Sequence, residues 1–331
     1  MSGAKNSSAT ATTVEAPRPY RGRFAPSPSG ALHFGSLVAA VASYLDARVA
    51  GGQWLVRIED LDPPREHPGA ADDILSTLER LGLHWDGPVL RQSARSDAYA
   101  EALQRLHGDA RLRECACARA ALAALPQNAR RPPGDDLFHP AACLPDTPAD
   151  ASHPALRLRV PDRDVEFTDR SLGVVRVNVA RTVGDFVLRR RDGLHAYQLA
   201  VAVDDEEQAI TDVVRGADLL PSTPRQILLQ EALGMRGLRY MHVPLAVDGG
   251  GLKLSKSSDA PRLAAAGSAS QLVAALEFLA QDPPRALAGA AAGEVLDWAW
   301  SNWHPVRFTG VSSKTAPAPA RVDQAQVQVQ E

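Results

Sequence analysis

The sequence predicts an α/β protein: a Rossmann-like, doubly wound parallel sheet with an inserted mixed α+β subdomain and a short C-terminal helical segment. Three observations predict it. From about residue 19 to 112, strand-length apolar runs alternate with helix-length periodic segments. A Pro-rich stretch then breaks the rhythm, with prolines at 126, 132, 133, 140 and 145. From about residue 191 the alternation resumes. The chain is therefore read as a polar tail (1–18), the first half of the α/β domain (19–112), an insertion (113–190), the second half (191–258), a helical segment (259–311) and a second polar tail (312–331).

In chain order, Tyr20 to Phe24 is a short strand signal that runs into a Pro/Ser/Gly turn. The turn opens a helix that carries apolar residues at helical spacing from Ser36 to Val49 and stops at Gly51 and Gly52. A strand, a tight turn and a helix N-terminus together aim backbone N–H groups and the positive end of the helix dipole at one place, which suits a phosphate. Trp54 to Ile58 is a buried-strand signal followed by the charged run Glu59 to Glu66, at the strand end where open α/β sheets place their ligands. Helices are expected over 70–81 and 94–106. Within the insertion, short strand signals cover 155–160, 165–168, 173–179 and 185–189, suggesting a small antiparallel or mixed unit. Then follow a helix (194–203), a strand (211–214), a helix (222–233, with Ser222 as its cap), a strand (242–247) and a Lys/Ser loop. Two or three Ala/Leu-rich helices between Ala260 and Trp303 complete the order.

The bulk numbers exclude several classes. At 331 residues, with 45% apolar and 23% charged residues, this is an ordinary globular composition. A formal net charge of −3 provides no global basic field, so a nucleic acid would have to meet a local basic face. No run of eighteen apolar residues occurs, and residues 1–18 lack the basic start and apolar core of a signal peptide. Both tails are expected to be disordered by composition. Three cysteines, two of them in Cys115-Ala-Cys117, fit a reduced cytoplasmic protein with a metal better than a disulfide framework.

Two stretches carry the chemistry: RFAPSPSGALHFGS (Arg23 to Ser36) and KLSKS (Lys253 to Ser257). Together they resemble the two signature motifs of class I aminoacyl-tRNA synthetases, and more narrowly those of the glutamyl branch. Arg57 to Arg65, Arg191 to Ala200 and Val214 to Leu219 agree with that branch, so the resemblance covers roughly residues 20–258 in order. Within it the chain is most similar to the truncated paralogues that glutamylate queuosine in the anticodon of tRNA(Asp). Only about 70 residues follow the Lys/Ser loop, leaving no room for the large anticodon-binding domain of a full glutamyl enzyme.

Free glutamate presents two carboxylates and one ammonium, so a selective site wants two cationic forks and an anion. Arg23 and Arg215 are the candidate forks, Glu59 the candidate partner of the ammonium, and Tyr197 a hydroxyl contact. The resemblance implies that Arg215 reads the side-chain carboxylate and so rejects glutamine, and that Phe24, Ala25, Pro26 and Ser27 complete the glutamate site. It implies ATP as co-substrate, with Mg2+, held by His33, Gly35, Ser36 and Lys256. His33, Lys253 and Lys256 are the expected catalytic residues, the lysines closing on the α-phosphate as pyrophosphate leaves. Ser36 stands where the usual signature has a second histidine; its hydroxyl donates a hydrogen bond but carries no switchable charge.

In the insertion, Cys115, Cys117, His139 and Cys143 form a Cys3His set suited to one tetrahedral zinc per chain, with His153 as a reserve fourth ligand. The family has tyrosine where His139 stands. A cytoplasmic monomer without a membrane segment is the default expectation. The rival readings are a shortened synthetase charging the 3′ end of tRNA(Glu), and a non-catalytic tRNA-binding paralogue.

Overall fold

The computed structural model describes residues 18–131, 137–144, 153–251, 253, 263 and 267–317. The first α/β half contains β1 (Arg21–Phe24), α1 (Phe34–Val49), β2 (Gln53–Ile58), α2 (Ala70–Arg80), β3 (Leu90–Arg91) and α3 (Ser96–Gly108). The middle of the chain holds β4 (Leu112–Cys115), α4 (Arg119–Ala123), β5 (Ala155–Leu158), β6 (Asp164–Asp169), β7 (Gly173–Asn178), α5 (Val179–Thr182) and β8 (Val187–Arg189). The second half contributes α6 (Tyr197–Glu207), β9 (Asp212–Gly216), α7 (Thr223–Ala232), β10 (Arg239–Val243) and β11 (Leu245–Val247), followed by α8 (Ser268–Phe278), α9 (Ala292–Asn302) and β12 (Ser313–Thr315).

β1, β2 and β3 pair in parallel, as do β9, β10 and β6. The two groups meet edge to edge, where Thr211 N–H donates to the Arg21 carbonyl at 2.9 Å and Arg21 N–H donates to Thr211 Oγ1 at 2.8 Å. The strand order is then β3-β2-β1 against β9-β10-β6-β7. From the β1/β9 junction the chain winds outward in both directions, and that junction is the topological switch point at which such sheets bind ligands.

Helices cover both faces. One core packs Leu37, Val41 and Leu45 of α1 with Ile74 and Leu78 of α2, Leu272 and Leu276 of α8, and Val295 of α9, over Trp54, Val56 and Met241 of the strands. The second gathers Leu103 and Leu106 of α3, Leu199 and Val203 of α6, and Leu228 and Leu229 of α7. α2 shows how directly the sequence specifies this: Ala70, Ile74 and Leu78 recur at every fourth position and are buried, while Asp72 and Asp73 complement the helix dipole at its start and Arg80 at its end.

Three expectations need correction. The stretch 113–190 does not form one inserted unit. β4, β5 and β8 make a small antiparallel sheet, but the β6–β7 hairpin joins the main sheet through Tyr240 opposite Asp169. The reason lies in the hairpin's turn, which is fixed beside β10 where Arg170 N–H donates to the Tyr240 carbonyl at 2.9 Å and His242 N–H to Asp169 Oδ1 at 3.3 Å. The tail 312–331 is not wholly without structure, because Ser313–Thr315 pairs in parallel with β11 and Lys314 Nζ donates to the Glu277 and Phe278 carbonyls at the end of α8. Composition alone does not reveal pairing of three residues with a strand far away in sequence. Ser222 does not cap α7 by its side chain; its hydroxyl instead accepts from Gln198 Nε2 at 3.1 Å and Arg225 Nη2 at 3.2 Å.

Candidate active site

Four elements converge at the C-terminal ends of the strands beside the switch point. β1 delivers Arg23, the end of β2 delivers Arg57 and Glu59, β9 delivers Arg215, and α6 begins at Tyr197 and carries Asp205 near its end. Pro26 O accepts from Glu59 N–H at 3.0 Å, tying the turn after β1 to the turn after β2. Tyr197 lies in the field of Glu59, Arg215 and Arg23 together, and burial and Glu59 push its hydroxyl pKa up.

The arginines are not loose surface charges. Arg23 is 3% exposed and donates from Nε and Nη2 to both oxygens of Asp205, at 3.0 and 3.2 Å. Arg57, fully buried, reaches Asp205 at 2.8 Å and Gln208 Oε1 at 2.8 Å, with Glu59 at 3.6 Å. Burial works against ionisation of Asp205, but Arg23 and Arg57 hold its carboxyl below the usual range. Arg215 donates from Nε to His242 Nε2 at 3.2 Å and from Nη2 to Thr223 Oγ1 at 2.8 Å. Its third nitrogen, Nη1, is buried and has no hydrogen-bond partner among the described residues. In both Arg23 and Arg215 the protein occupies the Nε/Nη2 edge. A bound carboxylate would therefore be met by the Nη1 end of each guanidinium.

Glu59 is a carboxylate with little solvent, 8% exposed. Burial raises its pKa to about 7, against the opposing pull of Arg57 and Arg23. An ammonium can be held only by the ionised form. Glu59 therefore takes up a proton below about pH 7, and an ammonium bound beside it would have to expel that proton. The apparent KM for glutamate is expected to rise as the pH falls from 8 to 6, approaching tenfold per unit well below the pKa. Glutamate binding at pH 6 should release about one proton, read by calorimetry in buffers of different ionisation enthalpy. A KM flat across this range would remove Glu59 from the ammonium site.

His33 caps α1: its backbone is extended, and Nδ1 accepts from Ser36 N–H at 3.3 Å. Ser36 Oγ lies 3.2 Å from Nε2 of the same ring, so the serine at the second signature position braces the first histidine. A Cβ on Gly35 would come within 3.2 Å of that ring. Ala25 and Pro26 are half-buried in the turn and Ser27 is exposed. The Phe24 side chain turns away into the core, stacked on Trp54 with centroids 6.3 Å apart, so only its backbone can serve a ligand. Lys253 Nζ pairs with Asp218 Oδ2 at 2.5 Å, which puts this lysine beside the turn following Arg215. Lys256 lies outside the described residues.

In the small sheet, the ligand atoms of Cys115, Cys117, His139 and Cys143 all lie within 4.8 Å of one another, and Cys115 Sγ is 3.1 Å from His139 Nε2. Zn–S and Zn–N bonds of about 2.3 and 2.0 Å place tetrahedral ligands roughly 3.5–3.8 Å apart, so the four donors fit a zinc ion. His153 is not part of this cluster.

Asp205, Thr223 and the Asp169–His242 pair escaped the sequence reading. Asp204 to Glu207 reads as a solvated acidic helix end, and a single histidine in an apolar strand reads as packing. One signal was available: Asp204 and Asp205 directly follow five apolar residues on α6, so the start of that acidic run falls on a helix the core surrounds.

Comparison with known proteins was consistent. The catalytic domain of class I tRNA synthetases of the E and Q type matches residues 20–265. A glutamyl-Q tRNA(Asp) synthetase from Dechloromonas aromatica is 56% identical over 285 residues, covering 86% of this chain and 94% of that protein. One from Pseudomonas aeruginosa is 53% identical over 293 residues, covering 87% and 95%. Among solved structures, a glutamate–tRNA synthetase from Elizabethkingia anophelis superposes with a TM-score of 0.71 at 25% identity, over 89% of this chain and 68% of that one. A glutamate tRNA ligase from Elizabethkingia meningosepticum, crystallised with its amino acid, gives a TM-score of 0.62 at 31% identity, over 72% of this chain. The match spans about half of that ligase, 52%.

Proposed function

The chain belongs to the class I tRNA synthetases of the glutamyl and glutaminyl type, and from that premise we propose that it activates L-glutamate with ATP without needing tRNA and transfers the glutamyl group to queuosine in tRNA(Asp). The observation that carries the first half is that Arg23, Arg215 and Glu59 all lie around Tyr197, with Arg215 Nη1 buried and without an acceptor among the described residues. Two cations and an anion match the charges of glutamate. Glutamine would set an amide N–H2 against a guanidinium, a mismatch that costs several kcal/mol in a dry site. Tyr197 and the turn from Phe24 to Ser27 complete the pocket, the backbone of Phe24 taking the place of its ring.

The enzymes of this family use ATP with Mg2+. His33, Gly35 and Ser36 at the start of α1 hold the phosphates, and Lys253 and Lys256 approach the α-phosphate. An oxygen of the substrate α-carboxylate forms a bond to the α-phosphorus as the bond to pyrophosphate breaks, with charge accumulating on the departing phosphates. Lys253 must exchange its contact with Asp218 for those phosphates. The Cys3His cluster holds one zinc per chain, in a structural role. The acceptor rests on the likeness to glutamyl-Q tRNA(Asp) synthetases; a monomeric enzyme working in the cytoplasm is the default reading beside it. Among the described residues no helix is long and apolar enough to cross a membrane.

The test is ATP–pyrophosphate exchange with glutamate and no tRNA, followed by transfer assays on tRNA(Asp) with and without queuosine. Exchange without tRNA, and transfer only to the queuosine form, are expected. Charging of tRNA(Glu) would overturn the acceptor, and an absolute need for tRNA in exchange would overturn the tRNA-independence.

A further inference from the structure

We infer that Asp169 and His242 form a positioning relay that sets which end of the Arg215 guanidinium is offered to the substrate, and thereby the preference for glutamate. The inference rests on the proposed reading of Arg215 as a glutamate contact and deepens it. His242 is fully buried and Asp169 is 1% exposed. Asp169 Oδ1 accepts three backbone N–H groups: Ser171 and Leu172 at 2.9 Å and His242 at 3.3 Å. The orientation of the carboxylate is therefore fixed, and Oδ2 faces His242 Nδ1 at 2.6 Å. An ionised oxygen can only accept, so Nδ1 carries the proton and Nε2 presents its lone pair.

That lone pair faces Arg215 Nε–H at 3.2 Å and Thr223 Oγ1 at 3.2 Å, and Thr223 Oγ1 in turn accepts from Arg215 Nη2 at 2.8 Å. The Nε/Nη2 edge of Arg215 is thus held by an acceptor whose polarity Asp169 dictates. Nη1, without a partner among the described residues, is the end left for a carboxylate. Burial lowers the His242 pKa despite its bond to Asp169, so the ring stays neutral and does not repel the guanidinium.

The discriminating variant is Asp169→Asn. Because Oδ1 is pinned by three N–H donors, the amide nitrogen must replace Oδ2 and donate to Nδ1. The imidazole then has to protonate Nε2 and meet Arg215 Nε–H donor to donor. This variant is expected to raise KM for glutamate roughly tenfold or more in tRNA-free exchange, with kcat and KM for ATP within about twofold. Selectivity for glutamate over glutamine should fall with it. Nitrogen NMR of the ring should show the proton on Nδ1 in the wild type and on Nε2 in Asp169→Asn.

His242→Gln can keep an acceptor toward Arg215 and a donor toward Asp169, and should retain glutamate KM within about threefold; His242→Leu cannot and should lose it. These two variants decide the matter even if Asp169→Asn does not fold. Unchanged glutamate KM in Asp169→Asn, or equal losses in His242→Gln and His242→Leu, would overturn the relay. Arg215→Lys separates the two claims. If it leaves glutamate KM unaltered, the glutamate site itself is misplaced and the relay falls with it. If it raises KM while Asp169→Asn does not, only the relay falls.

Discussion

Asp205→Ala is expected to cost about 3–5 kcal/mol of stability and to raise KM for glutamate by more than tenfold, because it strands the buried Arg23 and leaves the buried Arg57 with only Gln208 and the more distant Glu59. Arg23 would lose the acceptor of its Nε and Nη2, and Arg57 the partner that its Nη1 holds at 2.8 Å. Neither guanidinium can shed its proton, and both are at most 3% exposed, so water cannot replace the lost carboxylate without opening the core. Arg23 would also lose the anchor that directs its Nη1 end, which links the stability effect to the binding effect. The carboxyl of Asp205 is held below the usual range, so its contribution is present above about pH 4 and is lost as the pH falls through the lower folded value. Urea midpoints for Asp205→Ala, Arg57→Met and the double variant separate the causes. The double variant should recover part of the loss, since one stranded cation has been removed. A midpoint shift worth less than about 1 kcal/mol in Asp205→Ala would show that the pairing is not holding the site.

That cluster also marks the boundary of what could be read from the chain. The sheet was legible because each signal is local: the β1 turn, the fourfold spacing of Ala70, Ile74 and Leu78, and the Gly51–Gly52 stop all lie within a few residues of the structure they determine. The cations and the acid proposed for the site sit at strand ends carrying recognisable short motifs. What was not legible is what fixes those groups. Asp205 reaches Arg23 across 182 residues and Asp169 reaches His242 across 73. No local pattern separates such a buried partner from a solvated one. The β6–β7 hairpin was misplaced for the same reason: its period was right, but which sheet it joins depends on Tyr240, far along the chain.

Loss of zinc is expected to unravel the unit built on β4, β5 and β8 while the main sheet survives, and Gly184→Ala should reproduce that loss without touching a ligand. Around Cys115, Cys117 and Cys143 the apolar material among the described residues is slight: Leu122 is buried, and Leu125, Leu137 and Leu144 are partly buried. A bound ion would supply the cohesion that this core lacks. His139 is brought to the cysteines by its backbone: its N–H donates to Val183 O at 2.9 Å, and the chain runs alongside Gly184. Gly184 has φ +72, and a Cβ there would stand 1.7 Å from the His139 carbonyl oxygen. Alanine would therefore have to adopt a left-handed conformation costing about 1–2 kcal/mol and also push His139 away from Cys115. Elemental analysis should find one zinc per wild-type chain and well under half of that in Gly184→Ala. The variant should show a separate, lower-temperature melting step and early proteolysis between β4 and β5. Glutamate-dependent pyrophosphate exchange should persist at a substantial fraction of the wild-type rate, because Arg23 and Arg215 sit on β1 and β9, and Glu59 directly after β2, and not on the small sheet. Full zinc content in Gly184→Ala would show that His139 is not positioned by this crossing. Exchange lost in step with zinc would show that the small sheet supports the glutamate site directly.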